Sequence, residues 1–200
     1  VLHEQPYFFS FDSFKLMQSL IQHSSLAISN SILHNRLQEM VDRDHLTKLY
    51  ARRFLDRFVE NALEHDETGM FLLLDIDNFK EINDTYGHQT GDDVLVQIAN
   101  QLKSLIGTRG ICARWGGEEL AVYMSNLLED ESLKIAGQIV KSIPFVTNPE
   151  VTISAGLVSW TRGSLLEYRE IFLQADMALY AAKNNGKNQF FMYKDEVGTK

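Results

Sequence analysis

The stretch "ARWGGEELAVYM", residues 113–124, is the most informative segment of this chain about its fold. Strand-like apolar segments flank the pair Gly116-Gly117, and a glycine pair between strands predicts a β-hairpin, because tight turns that match strand twist need positive φ. Two adjacent acids, Glu118 and Glu119, stand where the second strand should become buried. Acids at such a place indicate a functional site at the hairpin turn.

Strands and helices are mixed along the rest of the chain. Short apolar runs bounded by turn residues or charges predict five strands, at 70–77, 110–115, 119–124, 151–160 and 188–194. Helical patterns cover residues 13–41, a segment ending near 65, and then 79–86, 91–106, 130–143 and 167–184. This mixed order with a central hairpin favours an α+β fold over a doubly wound parallel sheet.

The N-terminal helical pattern has a possible pairing face. Leu26, Leu33, Leu37 and Met40 follow one another at spacings of seven, four and three residues, which predicts a helix able to pair with a copy of itself. The alternative is an amphipathic helix that packs on its own domain.

Composition narrows the class of protein. A net charge of −8 argues against nucleic acid or an anionic membrane as a partner, because both require a basic surface. The single cysteine, Cys112, excludes an intrachain disulfide and fits a reduced core residue of a cytoplasmic protein. No apolar run reaches the roughly 18 residues that span a bilayer. The chain starts without methionine, so we expect an upstream portion to precede it.

A second pair of acids ends the strand at 70–77. Side chains alternate along a strand, so Asp75 and Asp77 should lie on one side and Ile76 on the other. Two carboxylates so close favour a hard cation such as Mg²⁺, particularly one shared with a phosphate. Alternatively, both acids end a strand in water. If this strand lies beside the hairpin, Asp75 comes near Glu118, and the uncovered glycine turn lets a phosphate approach.

Cations and amides complete the set of candidate binding residues. Lys183 and Lys187 are four residues apart near a helix end, so they should share one face and could meet phosphates. Alternatively, they interact only with the negative end of that helix. Asn83 and Asp92 offer the donors and acceptors that suit the edge of a guanine ring.

Four motifs in order resemble one family. "DHLTKLYARR", "DIDNFKEINDTYGHQTGDDVL", "RWGGEEL" and "ADMALYAAKNNGKNQF" are similar to the motifs of GGDEF-family diguanylate cyclases, over about residues 42–195. The resemblance implies a central, mainly antiparallel five-stranded sheet flanked by helices, like the palm of nucleotide cyclases and polymerases. It also implies that two GTP molecules are joined into cyclic di-GMP with release of two pyrophosphates.

The resemblance assigns roles by position. Asp75, the Ile76 carbonyl and Glu118 would hold Mg²⁺ or Mn²⁺, with Glu118 as proton acceptor and Glu119 as a secondary catalytic partner. Guanine would be read by Asn83 and Asp92, with His88 close to the substrate. The remaining phosphate contacts would be the side chains of Lys80, Lys183 and Lys187 and the backbone amides of Asn78 and Phe79.

The resemblance also implies a domain arrangement. Each subunit binds one GTP, so activity needs a homodimer, and the N-terminal helix would set the distance between its halves. Residues 1–41 resemble the end of a GAF sensor domain with its signalling helix, and 42–196 would form the cyclase domain. We expect a cytoplasmic location, with no direct membrane contact in this segment.

The chain departs from the family pattern at one regulatory site. Many members carry Arg-x-x-Asp ending five residues before the signature, where it binds product and inhibits. Here Gly107 and Gly110 replace both residues, so we predict no product inhibition through this site. Leu120 stands where phenylalanine is usual, and Lys187 stands where arginine is common.

Two other functions stay open: a catalytically silent GTP-binding module, and a cyclase that makes a different product.

Overall fold

The structure is a computed structural model that describes residues 10–164 and 166–194, and it describes residues 33–41 without their side chains. The chain divides into two compact units, Val1–Val41 and Asp42–Lys200. No helix in the described part of the chain is long and apolar enough to cross a membrane.

The predicted N-terminal helix is confirmed as α1, Phe11–Asp42. Its apolar side chains are exposed as far as they are described, and Leu26 is 61% exposed. The other members of the predicted pairing face, Leu33, Leu37 and Met40, have side chains outside the described residues. Residues 1–9, part of the segment predicted to resemble the end of a GAF domain, also lie outside them. Self-pairing and the GAF resemblance therefore stay predictions.

A six-stranded sheet forms the centre of the second unit, in the order β1-β3-β4-β2-β5-β6. The strands are β1 Tyr50–Ala51, β2 Thr68–Ile76, β3 Gly110–Arg114, β4 Glu119–Ser125, β5 Ile153–Thr161 and β6 Phe190–Met192. The pairs β3–β4, β4–β2 and β2–β5 are antiparallel. At the edges of the sheet, β1 runs parallel to β3 and β6 runs parallel to β5. The predicted α+β class is confirmed. The predicted count of five strands is wrong, because the sheet has six. The prediction missed β1, whose two residues are too few to show alternation.

The predicted hairpin is formed by β3 and β4, but its turn differs from the expected one. Arg114 pairs with Leu120, so the connection is longer than a two-residue turn. Neither Gly116 nor Gly117 has a positive φ, because the longer loop does not need the mirror-image turn. A Cβ at Gly116 would lie 2.8 Å from Glu119 Oε2, so the end of the Glu119 side chain would have to shift to accept it.

Five helices flank the sheet: α2 Arg52–His65, α3 Phe79–Tyr86, α4 His88–Ile106, α5 Glu129–Val146 and α6 Tyr168–Asn184. The alternation of β2 divides the core into two layers. Leu72 and Leu74 pack in the cluster that contains residues of α4 and α5. Phe71 and Leu73 pack in the cluster that contains residues of α2 and α6. Asp75 continues this second series, so its side chain lies on the α6 side of the sheet.

The position of α6 is fixed at its start and along its length. Glu167 and Glu170 form a capping box, in which each side chain accepts a hydrogen bond from the other residue's backbone. Gly156 of β5 lets α6 approach closely, because a Cβ there would lie 1.9 Å from the Ala175 carbonyl oxygen. The helix is thereby held against β5, which is the neighbour of the strand β2 that carries Asp75.

Candidate active site

Two carboxylates face each other where β2 ends and β4 begins. Asp75 is the register partner of Glu119, and partners in an antiparallel pair project from the same side of the sheet. The residue opposite Asp75 is Glu119 and not its neighbour Glu118, because β4 begins only at Glu119. The expectation that Glu118 lies near Asp75 stays a prediction. Glu118 belongs to the turn instead, close enough for its charge to act on the Glu119 carboxyl.

Burial makes this acidic pair hard to ionise. Burial is the main cause that raises the pKa of Asp75, and a smaller part comes from the charge of Asp77. Burial and then the negative charge of Asp75 raise the pKa of Glu119. Both effects disfavour the doubly ionised pair, so a cation is needed to keep both carboxylates charged.

Lys183 of α6 supplies that positive charge in the structure. Its Nζ lies 2.9 Å from Asp75 Oδ1. Beside this ion pair is an open groove of about 380 Å³. The groove is lined by Glu119, Asp176, Met177, Leu179, Tyr180 and Lys183. Asp176 was not predicted, although its spacing of seven residues from Lys183 places both on one face of the helix.

Asp77 has a structural environment that differs from that of Asp75. Its carboxylate accepts hydrogen bonds from the Ser154 hydroxyl at 2.7 Å, the Thr152 hydroxyl at 2.6 Å and the Asn188 amide at 3.0 Å. These bonds tie the end of β2 to β5 and to the loop after α6. The prediction of a paired cation site at Asp75 and Asp77 missed them, although Thr152 and Ser154 alternate within the predicted strand 151–160 and could have indicated a polar strand face.

Lys187 reaches the site by a different route from the predicted one. The helix α6 ends at Asn184, so Lys187 and Lys183 do not share a helical face. Lys187 and Asn188 have φ values of 61° and 48°, which turn the chain back toward the sheet. The Lys187 ammonium donates to Asn78 Oδ1. Both lysines therefore lie near the end of β2, as their charges acting on Asp75 also indicate.

The predicted guanine-binding residues lie around the junction of α3 and α4. Asn83 packs against Gly91, where a Cβ would come within 2.0 Å of Asn83 Oδ1. Gly91 directly precedes Asp92, so Asn83 is close to the backbone that carries Asp92. His88 is the first residue of α4 and is exposed. Lys80 is exposed on α3, whose first residue, Phe79, is buried.

The two glycines that replace the product-binding residues of the resembled family lie after α4 and at the start of β3. Gly107 directly follows the last residue of α4 and has a φ of 57°. A Cβ at Gly110 would lie 2.1 Å from the Tyr123 carbonyl oxygen, so this backbone has no room for an aspartate side chain at position 110.

The donor set suits a hard divalent cation. Asp75 and Glu118 offer carboxylate oxygens and Ile76 a carbonyl, which are the ligand types Mg²⁺ prefers. Among the residues that the structure describes, no three His, Cys, Asp or Glu side chains form a ready metal cluster. Mg²⁺ commonly takes only one or two protein carboxylates and completes its shell with water and substrate phosphate. The residues present therefore fit such an ion.

Comparison with known sequences gives a single family. The family model described as "Diguanylate cyclase, GGDEF domain" matches residues 41–189. The chain is 44% identical over 193 residues to the uncharacterized protein YtrP of Bacillus subtilis, covering 96% of this chain and 33% of that protein. It is 33% identical over 195 residues to diguanylate cyclase A of Treponema denticola, covering 91% of this chain and 51% of that protein. The chain thus spans a third to a half of these relatives.

Solved structures agree with this family. The coiled coil and GGDEF domain of DgcB from Caulobacter crescentus, in complex with c-di-GMP, matches with a TM-score of 0.79 and 25% identity. That match covers 88% of this chain and 98% of the other. The active GGEEF domain of a diguanylate cyclase from Vibrio cholerae matches with a TM-score of 0.67 and 31% identity, covering 74% of this chain and 99% of that one.

Proposed function

The chain belongs to the GGDEF family of diguanylate cyclases, and we propose on that premise that it condenses two GTP molecules into cyclic di-GMP with release of two pyrophosphates. The observation that carries the proposal is the meeting of Asp75, Glu119 and Lys183 at the end of the glycine hairpin. This constellation offers acids for a metal and a base, and a cation for phosphate.

The acids carry the proposed metal and proton chemistry. Asp75, Glu118 and the Ile76 carbonyl would hold Mg²⁺ or Mn²⁺. The bound ion would lower the pKa of the attacking 3′-hydroxyl and neutralise charge on the phosphates. Glu118 accepts the proton of that hydroxyl, and Glu119 supports Glu118 from the neighbouring position. The position of Glu119 opposite Asp75 is what supports its inclusion in the site.

The remaining residues hold the substrate in this proposal. Asn83 and Asp92 bind guanine, and His88 lies beside it. The side chains of Lys80, Lys183 and Lys187, with the amides of Asn78 and Phe79, bind the phosphates. When phosphate arrives, Lys183 exchanges part of its interaction with Asp75 for the phosphate, and it stabilises the leaving pyrophosphate. The 2.9 Å contact of Lys183 with Asp75 supports this role, because it places the ammonium at the acids.

The reaction requires a second copy of the chain. One domain presents one GTP, so the attacking hydroxyl must come from a GTP on a partner in a homodimer. We propose that residues 1–41 form the end of a GAF-like sensor domain with a signalling helix, and that 42–196 form the cyclase. The matched C. crescentus structure also combines a coiled coil with a GGDEF domain. We further propose a cytoplasmic location, without nucleic acid as a partner.

Product analysis tests the proposed function. The purified protein is incubated with GTP and Mg²⁺, and products are identified by chromatography and mass, with Glu118→Ala as the control. We expect cyclic di-GMP from the native protein and a loss of activity in the variant. Tight GTP binding without turnover, even at high protein concentration, would instead identify a silent GTP-binding module. A linear, hybrid or single-nucleotide product would identify a different cyclase.

Product inhibition through the usual site should be absent. Gly107 and Gly110 replace the two residues that bind product in other members, and position 110 has no room for a side chain. Adding cyclic di-GMP to an initial-rate assay should therefore cause only inhibition that competes with GTP. Potent inhibition that GTP does not relieve would contradict this proposal.

A further inference from the structure

Arg114, which precedes the glycine turn, contacts the turn's backbone directly. Its Nε lies 3.2 Å from the carbonyl oxygens of both Gly116 and Gly117, and its Nη2 lies 2.8 Å from the Gly117 carbonyl oxygen. One guanidinium thus fixes two successive peptide groups. The planar fork of arginine suits this task, because it presents several donors in a rigid arrangement.

The direction of these carbonyls determines where the turn's amides point. The peptide bonds of the turn are trans, so the N–H that follows each carbonyl points to the opposite side. With the carbonyls of Gly116 and Gly117 held by Arg114, the amides of Gly117 and Glu118 point away from it. Within the described residues, no group accepts a hydrogen bond from either amide. The space around Gly117 is also open, since a Cβ there would meet nothing within 4 Å.

Asp44 holds Arg114 in this position. Arg114 Nη1 lies 3.3 Å from Asp44 Oδ1, and the two side chains are only 17% and 15% exposed. Asp44 is itself fixed, because its Oδ1 accepts hydrogen bonds from the Thr47 amide at 2.8 Å and the Thr47 hydroxyl at 2.7 Å. Burial alone would raise the pKa of Asp44, but these bonds and the charge of Arg114 lower it overall. The carboxylate thus stays charged and stationary.

We propose that Arg114 is a positioning residue, anchored by Asp44, which orients the amides of Gly117 and Glu118 toward a nucleotide phosphate and holds the Glu118 backbone in place. This inference rests on the proposed function, because it names how the glycine turn of that site binds GTP. It also explains the motif "DHLTKL", residues 44–49, which contributes no residue to the proposed chemistry. That segment supplies the anchor of the turn.

The test compares Arg114→Lys with a matched control, Arg109→Lys. Arg109 also donates to backbone carbonyls, those of Leu105 and Ile106, but at the end of α4 rather than at the hairpin. Lysine at position 114 keeps a charge for Asp44 yet cannot contact the carboxylate and both carbonyls together. For each protein we would measure kcat and KM for GTP, GTP affinity by calorimetry with Mg²⁺, and thermal unfolding.

We expect Arg114→Lys to lower kcat/KM by roughly 10- to 100-fold at temperatures where it is fully folded, and to weaken GTP binding severalfold. Arg109→Lys should leave kcat, KM and GTP affinity within about twofold of native. Asp44→Asn should reproduce part of the effect of Arg114→Lys. The double variant should lose no more than Arg114→Lys alone, because both changes remove one arrangement.

The outcomes separate this inference from the proposed function. If the native protein makes cyclic di-GMP and folded Arg114→Lys keeps native kcat, KM and affinity, the inference is overturned while the function stands. If the native protein binds GTP without turnover and Arg114→Lys weakens that binding, the inference is supported while the function fails. If the native protein does not bind GTP, both are overturned.

Discussion

The Asn83 side chain occupies space that is free only because Gly91 has no side chain. A Cβ at position 91 would come 2.0 Å from Asn83 Oδ1, so Gly91→Ala must push the amide out of place. We predict that KM for GTP rises roughly tenfold, which is the value of one lost hydrogen bond to the base. The free energy of unfolding should stay equal or rise by up to about 1 kcal/mol, because alanine favours a helix and a rotating side chain yields cheaply. Steady-state kinetics and denaturant unfolding measure both.

Gly137→Ala is the matched control for this prediction. Gly137 also lies within a helix, α5, but a Cβ there would make only an ordinary contact, 3.7 Å from the Phe190 ring. This variant should gain a similar stability and keep the native KM. Equal KM values in the two variants would contradict the placement of Asn83 beside the substrate.

At this scale, the sequence predicted the residue types of the site better than their geometry. The acids, lysines and amides were identified from strand alternation and from the resemblance. The pairing of Asp75 with Glu119 could not be predicted, because it depends on the length of the hairpin loop. The partners Ser154 of Asp77 and Asp44 of Arg114 are 77 and 70 residues away in the chain, so local spacing alone does not identify these pairs.

The contact between β5 and α6 determines where Lys183 lies. At Gly156 a Cβ would lie 1.9 Å from the Ala175 carbonyl oxygen and 2.4 Å from the Leu179 amide nitrogen. Both are backbone atoms, so the whole helix must move to accept a side chain. We predict that Gly156→Ala lowers the free energy of unfolding by about 1–3 kcal/mol, as overpacking does. It should also lower cyclase activity at temperatures where the protein is folded, because Lys183 moves from Asp75. Native stability in this variant would show that strand and helix are not packed so closely.

Elements with a strong apolar pattern were predicted well. Five of the six strands and the flanking helices were identified from alternation and helical periodicity. The strand β1 was missed because it has two residues, and its parallel pairing with β3 is a tertiary contact. Lys187 was assigned to the helical face of Lys183, because sequence spacing does not show that α6 ends at Asn184 and turns back through left-handed residues.

In the proposed reaction, two substrate-loaded domains have to come together. A linked pair of N-terminal helices would raise the effective concentration of one cyclase domain at the other. We predict that a chain shortened to begin at Asp42 has a rate per subunit at least roughly tenfold lower at low protein concentration, and that this rate rises with concentration. The intact chain should depend less on concentration. Rates of the shortened chain that equal the native rates at every concentration would exclude this role of α1.

The stoichiometry of the reaction tests the central claim most directly. Nucleotides and pyrophosphate are separated and quantified as the native protein consumes GTP in the presence of Mg²⁺. Joining two GTP molecules in a ring predicts two pyrophosphates and one cyclic di-GMP for every two GTP consumed. One pyrophosphate and one cyclic mononucleotide per GTP, or no consumption of bound GTP, would contradict the account.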